Sequence, residues 1–131
     1  MELIDTHAHL TFPELQAQVD AVVARSIEAG VTGWVTIGTD IEQIEKALSV
    51  AQRFDNMYAA IGFHPHYAND ITAELLAKLT EYAKNEKVVA IGETGLDYHY
   101  ENAVPQKQQA VFRAQLKICL LYTSPSPRDR S

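Results

Sequence analysis

Cysteine is nearly absent from the 131-residue sequence. Cys119 stands alone, so neither an internal disulfide nor a thiolate metal cluster can form, and any metal must be held by histidine and carboxylate. Long apolar runs are missing as well. No stretch reaches the ~18 to 20 residues of a membrane span, and residues 1–30 lack a basic segment followed by a purely apolar one. Neither an anchor nor a signal peptide is expected, and a cytoplasmic protein with no membrane partner is the default. Basic residues are scarce: 11 Lys and Arg face 17 Asp and Glu, and the net charge of −6 argues against a protein that wraps duplex DNA through a basic face. A metal site that meets one phosphate at a time is still allowed. No G-x-G-x-x-G or G-x-x-x-x-G-K run follows the first strand, which leaves dinucleotide and P-loop readings without support. What is present, 47% hydrophobic and 21% charged residues, suits one soluble globular domain rather than a disordered or collagenous chain.

Four strand-then-helix units fill residues 1–118. Leu3 and Ile4 open a strand, and Leu15, Val19, Val22, Val23 and Ile27 share one helical face that Gly30 closes. Trp34 to Gly38 reads as a second strand, with Thr39 and Glu42 at capping-box spacing before a helix that turns Ile41, Ile44, Leu48 and Ala51 inward. Met57 to Gly62 precedes a helix carrying Leu75, Leu76, Leu79, Tyr82 and Ala83. Val88 to Gly92 precedes one from about Pro105 through Val111, Phe112 and Leu116, ending near Lys117. Three strands end in Ile-Gly, at Gly38, Gly62 and Gly92, as one repeated unit would. Short, continuously apolar strands separated by helices predict an α/β protein with a parallel sheet, covered on both faces or closed as a barrel. From Cys119 the text CLLYTSPSPRDRS breaks this pattern with two Ser-Pro steps. It reads as a translated sequencing adapter, a natural Pro/Ser tail being the other reading, and residues 119–131 are set apart from functional reasoning.

Chemistry in parallel α/β folds collects at the carboxyl ends of strands, and the polar residues of this chain fall there. Asp5, His7 and His9 leave the first strand with side chains expected on one side, so that His7 and His9 can chelate one ion while Asp5 ligates it or orients an imidazole. The alternative is a loop with two solvated histidines. Glu93 closes the fourth strand between Gly92 and Gly95 and is the natural bridging carboxylate for two cations ~3.5 to 4 Å apart; a salt-bridged strand-end glutamate is the plainer reading. His64, one residue beyond Gly62 and Phe63, is positioned to contact a substrate phosphate. His66 reads better as part of an exposed turn fixed by Pro65, and His99 as a loop histidine. Asp97 positions substrate or caps the following turn, with nothing to choose between them. Tyr98 and Phe63 could stack on a base.

With these residues in view, the chain resembles the TatD family of metal-dependent deoxyribonucleases, within the amidohydrolase group of TIM-barrel enzymes. The resemblance rests on D-T-H-A-H, G-F-H-P-H and G-E-T-G-L-D-Y, followed by Gln108, Phe112, Gln115 and Leu116, in that order over residues 1–118. It implies a (β/α)8 barrel holding two divalent cations (Mg, Mn or Zn), with His7 and His9 on one ion and Glu93 shared by both. It also implies 3′-5′ exonuclease activity on DNA ends. Eight such units need on the order of 250 residues. The chain is therefore expected to be a half barrel of about four βα units, lacking the family's later two histidines and aspartate, prone to association and without turnover. Two other classes stay open. One is a different metal hydrolase on the same scaffold, such as a phosphatase, lactonase or amide hydrolase, and the other is a non-catalytic metal-binding module. No protein partner is legible in these motifs.

Overall fold

The computed structural model describes residues 1–122. Nearly all of the segment that the sequence reading set apart, residues 123–131, lies outside the described residues. Four parallel strands, β1 (Leu3–Ala8), β2 (Val31–Gly38), β3 (Met57–Ile61) and β4 (Val88–Ile91), form one sheet in the order β1-β2-β3-β4. Strands that add always on the same side, each through a right-handed crossover, keep every connecting helix on one face. This is the order of a barrel wall; a doubly wound sheet reverses direction at a switch point. The β2–β3 pairing is regular from Trp34↔Met57 to Gly38↔Ile61, whereas β1 shifts register between Asp5 and Ala8.

The helices are α1 (Pro13–Gln16), α2 (Val19–Glu28), α3 (Ile41–Arg53), α4 (Ala73–Tyr82) and α5 (Pro105–Tyr122), with a 3-10 helix at Pro65–Asp70. Two apolar clusters join them to the sheet. One packs Leu10, Val19 and Val23 with Val50 and Ala51 against Trp34 and Met57. The other packs Ile44, Leu48, Leu79, Val111 and Ile118 against Ala59, Ile61 and Phe63. The opposite face of the sheet offers a groove lined by Ile4, Gly33, Val35 and Tyr58, to which no helix contributes.

Four local expectations are corrected. The single helix expected before Gly30 is broken into α1 and α2, and Ile27 is 59% exposed rather than inward. The cap of α3 is Asp40, not Thr39: its carboxylate accepts from the Gln43 N–H (2.8 Å), so the capping spacing was present one residue later. Leu116 is 46% exposed, and the inward positions of α5 alongside Val111 and Ile118 are taken by Gln108 and Gln115. Finally, α5 continues past Lys117 to Tyr122. Proline blocks a helix at its own position and disfavours it one residue earlier, and Pro125 is too distant to act before that point.

Candidate metal centre

The end of β1 and the connection to α1 carry the first two polar groups, His7 within the strand and His9 just past it. Ala8 and Leu10 are buried in the core and Thr11 donates its hydroxyl to Gln43 Oε1 of α3, so alternate residues around them are held at the carboxyl rim of the sheet. His7 and His9 are two of those alternates. Their rings approach edge to face with centroids 5.1 Å apart, and Phe12 stacks on His9 at 4.4 Å. Asp5 does not join them as the strand alternation suggested. The register shift after it interrupts the pleat, and its Oδ1 accepts the backbone N–H of His7 at 3.1 Å. It fixes the main chain there and is not one of the residues whose ligand atoms converge.

Glu93 comes from the other end of the sheet. The Gly92 N–H donates to Ile61 O (2.9 Å), which extends the ladder one residue past β4 and places the next side chain at the rim. Glu93 Oε1 lies 2.9 Å from His7 Nε2. One ligand atom from each of His7, His9 and Glu93 lies within 4.8 Å of the others, so residues 84 or more positions apart in sequence converge on one point. His9 Nδ1 is buried and has no hydrogen-bond partner among the described residues. Two imidazoles and a carboxylate brought together are a donor set that suits zinc or manganese.

His64 and Asp97 fall beside this group. His64 Nδ1 accepts the backbone N–H of His66 at 3.2 Å, so its proton resides on Nε2. Burial lowers its pKa, with the nearby His66 acting in the same direction, while Glu93 and Asp97 oppose the shift. Asp97 caps the following turn and also reaches His66. Its Oδ1 accepts the N–H groups of His99 (3.0 Å) and Tyr100 (3.4 Å), capping that turn, and its Oδ2 takes the His66 Nε2 at 2.5 Å. The hydrogen bond from His66 is the main reason that its carboxyl is held below the usual carboxylate range.

His66 is the residue that the sequence reading undervalued. It is no exposed turn bystander: it pairs with Asp97, and its ring lies 4.2 Å from that of His64. The signal was available, since His64 and His66 repeat the i, i+2 spacing of His7 and His9. Phe63 is 1% exposed and buried in the core, which removes it as a base-stacking surface, whereas Tyr98 is exposed and its hydroxyl accepts from Gln109 Nε2. His99 stays at the loop surface against Tyr100, as expected.

The profile of the family described as TatD related DNase matches residues 4–125. An uncharacterized metal-dependent hydrolase of Bacillus subtilis (strain 168), YabD, is 41% identical over 116 residues, covering 88% of this chain and 46% of that protein. A protein of Enterobacter lignolyticus (strain SCF1) named 3′-5′ ssDNA/RNA exonuclease TatD is 39% identical over 116 residues, 88% of this chain and 45% of its own length. Among solved structures, YJJV, a TatD homolog from Escherichia coli K12, superimposes with a TM-score of 0.84 at 32% identity, covering 92% of this chain and 47% of that one. The chain thus spans about half the length of the relatives that it matches. With the match extending over nearly the whole sequence, the chain belongs to the TatD related DNase family.

Proposed function

We propose that this chain is the metal-binding half of a barrel hydrolase that cleaves phosphodiester bonds at DNA ends in the 3′-5′ direction. The observation that carries the reading is the convergence of His7, His9 and Glu93, one ligand atom from each lying within 4.8 Å of the others. In this proposal His7, His9 and Glu93 would hold one divalent cation, Mg, Mn or Zn, and Glu93 would be shared with a second. Cations held there supply positive charge against a phosphate and acidify water for attack. The acidic surface, with its net charge of −6, is then no obstacle, because charge of the needed sign is confined to the place where phosphate sits.

The chain's own residues do the positioning. His64 is a neutral imidazole with its proton on Nε2, a donor suited to a phosphate oxygen. Asp97 holds His66 beside it and so reaches the substrate through that ring. By itself the chain would bind the cation without turnover, because the two histidines and aspartate that the resemblance implies on later strands have no counterpart in it, and among the described residues the sheet edges β1 and β4 favour association.

The reading is tested with a single-stranded oligonucleotide labelled at its 3′ end, mixed with the full chain in Mn2+ and in EDTA. Binding is expected only with Mn2+, reduced in His64→Ala, and with no cleavage. Equal binding in EDTA contradicts the metal-centred reading. A chain that is monomeric by sedimentation and cleaves at a full-length relative's rate contradicts the half-barrel assignment.

A further inference from the structure

Two glutamines of α5, Gln108 and Gln115, are each 1% exposed, in positions where the amphipathic pattern calls for apolar residues. They are separated by seven residues, about two helical turns, and so share one face. Each amide engages both backbone groups of a single loop residue. Gln115 Oε1 accepts the Phe63 N–H at 2.7 Å while its Nε2 donates to the Phe63 carbonyl at 3.1 Å. Gln108 Oε1 accepts the Asp97 N–H at 2.7 Å, and its Nε2 donates to the Asp97 carbonyl at 2.9 Å and the Ala103 carbonyl at 2.8 Å. A primary amide presents acceptor and donor side by side, so each glutamine acts as one more peptide of a neighbouring strand. The helix thereby continues the sheet's hydrogen bonding at two points where β3 and β4 have already ended.

Satisfying two buried peptides would explain each contact separately. The choice of recipients points further. Phe63 directly precedes His64, and Asp97 holds the ring of His66, so the two side-by-side imidazoles hang from one helix. The third member of the contact is the chain leading to Glu93. A Cβ added at Gly62 would lie 2.9 Å from Gln115 Oε1 and 3.0 Å from the Gly92 carbonyl, so glycine permits a three-way approach of α5, the His64 loop and the residue before Glu93.

We propose that Gln108 and Gln115 are positioning residues that fix His64 and His66 at a set place relative to Glu93. The functional consequence rests on the metal-hydrolase reading; the geometry does not. The test uses the metal-free full chain and its Gln108→Met and Gln115→Met variants. Long-range proton–nitrogen NMR reports imidazole tautomers, circular dichroism reports folding, and Mn2+ calorimetry reports the metal group. We expect Gln115→Met to release His64 from its single Nε2–H tautomer and Gln108→Met to abolish the His66 signature of pairing with Asp97. Imidazole spectra unchanged in folded variants overturn the proposal. Should the variants fail to fold, hydrogen exchange in the wild-type chain decides: Phe63 and Asp97 amides protected like those of β3 support the clamps, and exchange at open-loop rates overturns them. A wild-type chain that does not bind Mn2+ overturns the metal reading instead, the clamps being judged by the metal-free spectra and exchange.

Discussion

A buried imidazole nitrogen without a hydrogen-bond partner costs about 1–3 kcal/mol, and His9 Nδ1 is such an atom. His9→Leu is therefore expected to leave the metal-free chain at least as stable in urea while lowering Mn2+ affinity by 100-fold or more, on the order of a severe loss at a metal site. A variant that loses stability and keeps its affinity would contradict this role. His64 makes a separate prediction. Burial, then the neighbouring His66, sets its pKa below the ordinary 6.5, against the pull of Glu93 and Asp97. The unfolded chain takes up this proton more readily than the folded one, so the stability linked to His64 is complete above pH 6.5 and is lost as pH falls below it. Asp97, held below its ordinary 3.8 chiefly by His66, adds a loss of the same sign only in stronger acid. Between pH 7 and the His64 titration, the urea midpoint of the wild-type chain should fall more steeply than that of His64→Gln; parallel curves would refute the assignment. His7, His9 and Glu93 were legible in the sequence because strand-end spacing and flanking glycines are local signals. The pairing of His66 with Asp97 was not, since the partners are 31 residues apart and meet only in the fold.

Elements were legible wherever apolar periodicity and a stop signal agreed. All four strands and the main helices fall where the sequence placed them, while the errors gather at termini and breaks. The start of α3 shows why: Thr39 and Asp40 are both good caps, and only the backbone decides which side chain faces the first turn. Asp40 has extended backbone geometry and accepts the Gln43 N–H. Asp40→Ala should therefore cost about 1 kcal/mol in chemical denaturation, and Thr39→Ala should stay within about 0.5 kcal/mol. The reverse order would restore the sequence reading. In α5 the misread positions are polar ones. Gln108 and Gln115 occupy the inward face because they serve loop peptides that have no strand partner, a demand that hydropathy periodicity cannot register. The extension of α5 to Tyr122 has the simpler cause that no breaker intervenes after Lys117.

At the scale of the molecule, strand order, helix placement and the rim location of the polar residues form one pattern. A sheet that grows in one direction with helices on a single face curves toward a barrel, and its carboxyl rim becomes the floor of a site. β1 and β4 are the two ends of that sheet, yet they supply the two sides of the metal group, with His7 Nε2 and Glu93 Oε1 2.9 Å apart. Ile4, on the face with no helix, is 67% exposed, in keeping with a wall whose inner side is unfilled. The most direct measurement is anomalous diffraction from crystals of the chain grown with Zn2+ or Mn2+. The account predicts a peak about 2.0–2.2 Å from nitrogens of His7 and His9 and an oxygen of Glu93. A peak among His64, His66 and Asp97 instead, or no peak at saturating metal, would contradict it.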